Sequence, residues 1–251
     1  MTEIQSEFGD IEWKEDFSGP ELLVAGTGVS GNIFKDFRVI GDGIAEADSG
    51  ITISETDPYM NGVGILTTTD ETKHGVHLAT ALCIKPSTMG PVVLEERVQY
   101  ADLDAKAGFM GLSIENGDEL SLEDDLINGV TTTLTLTGTH FAGFFWDEGL
   151  TDDEDLHAVY NGGDTACSTT STNQDLDCDM VAGEFQIRRL EVDENGTCRW
   201  YVDEKLKKTV VGAIDPDQVF AAICGVESKA SSIEYAYLDY FIVKCHRDWN
   251  I

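Results

Sequence analysis

Basic residues are scarce in this chain. Its 251 residues include 16 Lys and Arg against 47 Asp and Glu, a net charge of −31. Nucleic-acid binding depends on Lys and Arg neutralising phosphates, so a field of this sign argues against it. An anionic membrane surface is excluded on the same ground. Long apolar runs are missing too, and none approaches the roughly 20 residues a helix needs to cross a bilayer. The opening residues Met1 to Glu7 show neither the positive segment nor the apolar core of a secretory signal. The expectation is therefore synthesis and retention in a cytoplasm, or release from it by lysis, and Asn195-Gly196-Thr197 reads as a turn rather than a glycosylation acceptor.

Metal and catalytic motifs are also lacking. The six cysteines form no C-x-x-C pair, and His74, His77, His140, His157 and His246 offer no zinc spacing. Cys83, Cys198 and Cys224 sit in apolar β-like runs, where a thiol behaves as a small hydrophobe. Cys167 and Cys178 flank a polar loop and are candidates for a bridge only in an oxidising medium. No G-x-S-x-G, P-loop, H-E-x-x-H or Rossmann fingerprint occurs. The run Gly26 to Gly31 fits G-x-G-x-x-G in letters, without a long helix to follow it. The expectation from these absences is no catalytic residue, no cofactor-binding residue and no enzyme.

What is present is strand signal, punctuated by Gly, Asn and Asp turns. Val92, Leu94, Val98 and Tyr100 alternate with Val93, Glu95, Arg97 and Gln99, one face for a core and one for water. Phe109 to Ile114, Thr131 to Thr137 and Ala142 to Trp146 read as further strands, the Thr-rich run as a half-exposed one. Phe185 and Ile187, then Leu190 and Val192, suggest inward residues with a β-bulge at Arg188-Arg189. Asp193 to Gly196 is a hairpin turn, with Cys198, Trp200 and Val202 returning inward. Ser121 to Asp124 has the form of a capping box, and Val219 to Cys224 reads as a buried strand. Residues 1–25 are expected as an N-terminal arm and 26–251 as one domain.

Candidate sites are few. Glu96 shares the apolar face of its strand, so it must be paired, with Arg188, Arg189 or a backbone amide as the partner. Asp152, Asp153 and Asp155 are candidate Ca²⁺ ligands, although the spacing and glycine of an EF-hand are absent. Trp146, Tyr160 and Trp249 are candidates for stacking on sugar rings. Segments low in acid, Val24 to Phe34 and Gly75 to Val93, together with the N-terminal arm, are the expected docking surfaces in a chain that repels its own copies.

The stretch Leu190 to Thr209, with its Asn-Gly turn and aromatic return strand, resembles the C-terminal hairpin of concanavalin-like and laminin-G-like sandwiches. Tyr237 to Val243 is similar to the final strand of that family. The resemblance implies an all-β fold, a two-sheet antiparallel jelly-roll sandwich, and leaves activity open. The concanavalin-like glycanases carry an E-x-D-x-x-E strand that this chain lacks. A second likeness joins Gly64 to Thr72, Leu94 to Val98 and Phe109 to Ser113 to tailed-phage virion proteins. It implies a capsid decoration or cement protein on the outer capsid surface. Its partners would be the capsid protein and further copies of itself, by analogy a trimer. The alternative is a lectin-like carbohydrate-binding module or adhesin.

Overall fold

The computed structural model describes residues 9–18, 24–25, 32–34, 36–46, 48–54 and 62–248. Its strands, in chain order, begin with β1 (Asp10–Glu15), β2 (Val24–Ala25), β3 (Asn32–Phe34), β4 (Phe37–Ile40), β5 (Gly50–Ser54), β6 (Val63–Thr67) and β7 (Gly75–Ala79). The middle of the chain supplies β8 (Val92–Gln99), β9 (Lys106–Ser113), β10 (Ile127–Val130), β11 (Thr133–Leu136), β12 (Phe141–Asp147), β13 (Asp155–Asn161) and β14 (Asp175–Asp179). The last are β15 (Gln186–Val192), β16 (Cys198–Val202), β17 (Lys205–Val210), β18 (Ala221–Ser228) and β19 (Tyr235–His246). One sheet runs β17-β16-β15-β8-β19-β6-β5-β2, and the other runs β14-β13-β12-β9-β18-β7-β4-β3. Every pairing within the two sheets is antiparallel, and together they form the expected jelly-roll sandwich.

Alternation decides which side of each strand meets the core. Val92, Leu94, Glu96 and Val98 are buried while Val93, Glu95, Arg97 and Gln99 are partly exposed. From the facing sheet, Met110, Leu112, Phe144 and Trp146 enter the same core with Leu190, Trp200 and Phe241. Trp200 is fully buried, and its indole Nε1 donates to the Gly143 carbonyl at 2.8 Å on the opposite sheet, so its one polar atom is satisfied inside. The hairpin before it turns through Gly196 at φ 75°, a conformation that glycine adopts without a Cβ penalty. The strand expected near Val219 forms as β18, and Ser121 caps a π-helical turn, Leu122–Leu126, by accepting from the Asp124 amide.

The bulge expected at Arg188-Arg189 does not form. β15 alternates without a break, with Gln186, Arg188, Leu190 and Val192 buried, so Ile187 lies on the outward side. The reason is an ion pair. Arg188 and Glu96, cross-strand neighbours, are both buried and meet at 2.5 Å. An arginine can occupy a core position when a buried carboxylate sits opposite it. Burial raises the Glu96 pKa, and Arg188 opposes that shift.

Two further expectations take a different form. Within the stretch read as an arm, β1 pairs with the second half of β19 and belongs to a sheet. Gly75 to Ala79, expected in a docking surface, is a buried strand between β18 and β4. The Val24 to Phe34 segment lies mostly outside the described residues. All six cysteines are free thiols, Cys167 and Cys178 included.

Candidate functional site

Each sheet has an outer side as well as an inner one, and the two outer sides differ. On the β9–β12–β18 sheet the outward residues Ala107, Phe109, Phe141, Phe145, Ala221 and Ile223 are buried. Residues 114–140 fold over them as a roof, bringing Leu120, Leu122, Leu126, Ile127 and Leu134 into a second apolar core. The β10–β11 hairpin forms the rest of the roof as its own small sheet. This side of the sandwich is therefore covered by the chain itself.

Polar groups beneath this roof hold it down. Asp147 and Glu227 both stand opposite Ala107 in register, one on each side of β9. Glu227 accepts from the Leu122 and Glu123 amides of the π-helical turn. Asp147 accepts from the Gly129 and Gly149 amides at 2.9 Å and pairs with Lys229 at 3.3 Å. Lys229 in turn donates to Glu123 and Asn128 at 2.7 Å. Burial pushes Glu227 up to about 8 although the two amides favour its charged form, and burial raises Asp147 against the pull of Lys229. His77, also outward on β7, is fully buried and held down to about 3 by desolvation. Two carboxylates with raised pKa values on one sheet face are the raw material of acid–base chemistry, but here both are sealed from solvent and bonded to the roof.

The outer side of the other sheet is open among the described residues. On β8, β15, β16 and β19 its side chains are only partly buried and alternate between rings and charges. Arg189 lies 4.3 Å over the Tyr201 ring, and Arg97 lies 4.2 Å over Phe185. Tyr240 donates to Glu95 at 3.0 Å and Tyr201 to Glu191 at 3.1 Å, while Arg97 pairs with Asp239 at 2.6 Å. Partial burial, then the neighbouring Glu191, raises the Tyr201 pKa, and Tyr240 is raised likewise by burial and Glu95. These strands present Arg97, Arg189, Arg199 and Lys244 against Glu95, Glu191 and Asp239. With Asp193 on Arg199 and Glu12 on Lys244, the opposite charges nearly balance, in a molecule of net −31. Rings, guanidinium planes and carboxylates thus share one rigid, charge-balanced surface.

The residues singled out from the sequence are distributed elsewhere. Trp146 is fully buried between the sheets, its ring 4.8 Å from Tyr100, and Tyr160 is 5% exposed beside Trp200. Neither presents a face to a sugar, since both project from β12 and β13 toward the inner core. Trp249 lies outside the described residues. Asp152 and Asp153 are exposed, whereas Asp155 is raised to about 7 by burial and by Asp175 and Asp152. Among the described residues they are not brought together closely enough to share an ion; Glu46, Glu71 and His74 are. Sequence reading missed the open platform because Tyr201, Arg189, Glu95 and Tyr240 come from four strands. The alternation of β8 was its one visible sign.

No family model and no curated protein matches the chain. Solved structures do. A protein of unknown function from Shewanella oneidensis MR-1 is similar over 99% of this chain and 92% of its own, at 11% identity and TM-score 0.55. A structure described with endo-acting O-glycanases of the human gut microbiota that initiate mucin breakdown is similar over 92% and 97%, at 10% identity and TM-score 0.51. The carbohydrate recognition domain of Emp46p, in metal-free form, covers 78% and 85%, at 12% identity and TM-score 0.47. At these identities the likeness concerns the fold. The expectation that the chain is not an enzyme is corrected by it: the same architecture occurs in a structure described with glycanases, so a missing motif excludes no activity. Carboxylates can also be placed on one sheet face from distant strands, as Asp147 and Glu227 are on either side of β9, without any short sequence pattern.

Proposed function

We propose that the protein recognises carbohydrate through the open outer face of the β8–β15–β16–β19 sheet. The observation that carries this reading is the ordered set Tyr201, Arg189, Glu95 and Tyr240, with rings, planar guanidinium and carboxylate held side by side on rigid strands. Sugars offer C–H faces that pack on aromatic rings and hydroxyls that bond to Arg and Glu, so this mixture suits them. A glycan array probed with the full chain tests it. Binding to a defined glycan that is lost in Tyr201→Ala and Arg189→Ala, with melting temperature retained, supports the reading. Silence of the folded wild-type chain across a broad array overturns it.

A second reading keeps the virion-decoration role, with the same face docked on a capsid protein or on further copies in a homo-oligomer. It is favoured by charge: a nearly balanced face on a molecule of net −31 repels a second copy less than an acidic face would. Self-association or particle binding should then strengthen with added NaCl, which screens the remaining carboxylates. Sedimentation across a salt series checks it, and dissociation on raising salt counts against it.

A further inference from the structure

We propose that Glu46, Glu71 and His74 form a zinc site of three protein ligands, separate from the glycan platform. His74 Nδ1 stands 3.2 Å from Glu71 Oε2 and 3.6 Å from Glu46 Oε1. All three ligand atoms lie within 4.8 Å of one another. Donors around a tetrahedral Zn²⁺ with bonds near 2.0–2.1 Å are about 3.3 Å apart, and the two His–Glu separations bracket that value. The donor set is one imidazole nitrogen and two carboxylate oxygens, without sulfur. It suits Zn²⁺ better than Ca²⁺, which takes six to eight oxygens. The fourth position is left for water.

Thr69 Oγ1 also lies 2.8 Å from Nδ1, so a metal bound there replaces that hydrogen bond. On the other side Nε2 faces Asp42 Oδ1 at 3.9 Å, beyond hydrogen-bond range but near enough for the carboxylate's charge to favour a cation on the ring. The loop that brings Glu46 in closes tightly on the ring. Gly43 has φ +81°, and a Cβ there would lie 2.3 Å from Nδ1. Among the described residues, Asp42, Glu46 and Glu71 have His74 as their sole ion-pair partner, so three carboxylates surround one imidazole without a Lys or Arg. A divalent cation resolves that excess. It would also tie the 41–46 loop to β7, and that loop holds the roof, because the Gly41 and Asp42 amides donate to Asp118 and Leu120.

The test uses the full chain, stripped of metal and titrated with Co²⁺ as a spectroscopic stand-in for Zn²⁺. The expected result is the intense visible absorption of a four-coordinate Co²⁺ at one ion per chain, removed by one equivalent of Zn²⁺ and not by Ca²⁺. His74→Ala should abolish the band. Glu71→Gln, at an exposed position, should weaken Zn²⁺ binding without loss of fold. Asp42→Asn should weaken it less than Glu71→Gln does, because it removes only a nearby charge. Asp152→Asn should leave the band unchanged. A missing band, a band that persists in His74→Ala, an unchanged affinity in Glu71→Gln, or equal displacement by Ca²⁺ overturns the assignment.

Discussion

The two outer faces of the sandwich obey the same strand geometry and have opposite fates. On the roofed side the outward positions carry Phe109, Phe141, Phe145 and Ile223, and a 27-residue excursion covers them. On the open side the equivalent positions carry Arg, Glu and Tyr, which satisfy one another laterally and need no cover. The difference teaches that a face is closed or presented according to which side chains alternate into it. Stability should therefore reside in the roofed face and recognition in the open one.

The sharpest way to break that comparison is to empty the roofed core. Phe145→Ala should cost about 3–5 kcal/mol, read as a lower urea midpoint, because a cavity opens where neither sheet nor roof can collapse freely. An unchanged midpoint would mean that the roof is not packed as described. Between the two sheets, Arg188→Met should cost about 3–5 kcal/mol by leaving Glu96 charged and alone, and adding Glu96→Leu should restore most of it. If the double variant is no more stable than the single one, the loss comes from shape and not from charge.

Charge under the roof gives a subtler contrast. Glu227 has an ordinary pKa of 4.5 and is pushed up to about 8 in the fold. Between those values the folded chain holds a proton that the unfolded chain releases, so the protonated carboxyl's contribution is complete below pH 4.5 and lost as pH rises to 8. Asp155, raised to about 7, pulls in the same direction. Denaturation midpoints should fall across that window, and Glu227→Gln should flatten the slope. An equal slope in the variant would assign it to the other carboxylates. The smallest effect on stability belongs to the open face, where Tyr201→Ala should change stability by about 1 kcal/mol or less while removing glycan binding. A large loss of stability there would make the platform a structural element.

Much of the fold was legible in the sequence because period-two alternation is a local property. β8 and β16 show it directly, and Trp200 was placed in the core from its neighbours Cys198 and Val202 alone. Alternation misled at Phe185 to Val192, where the slip that reads as a bulge at Arg188-Arg189 is an unbroken strand with Arg188 buried against Glu96, 92 positions earlier. The stacking candidates Trp146 and Tyr160 failed for a related reason: an aromatic in a strand can point to either sheet side, and only packing says which side is open.

Strand period, turn residues and net charge depend on no distant contact, so the class of structure and the sign of the molecule's field can be read along the chain. Which residues share a surface was decided by the tertiary structure. Strand order places β15, β8 and β19 side by side although they are far apart in the chain, and so assembles Tyr201, Arg189, Glu95 and Tyr240. The same holds for Asp147 and Glu227 across Ala107, and for Glu46, Glu71 and His74 where two loops meet. Side chains that interact over about 3 Å have no signature along a chain whose neighbours in space are tens of residues away, and only the pairing of strands brings them within reach.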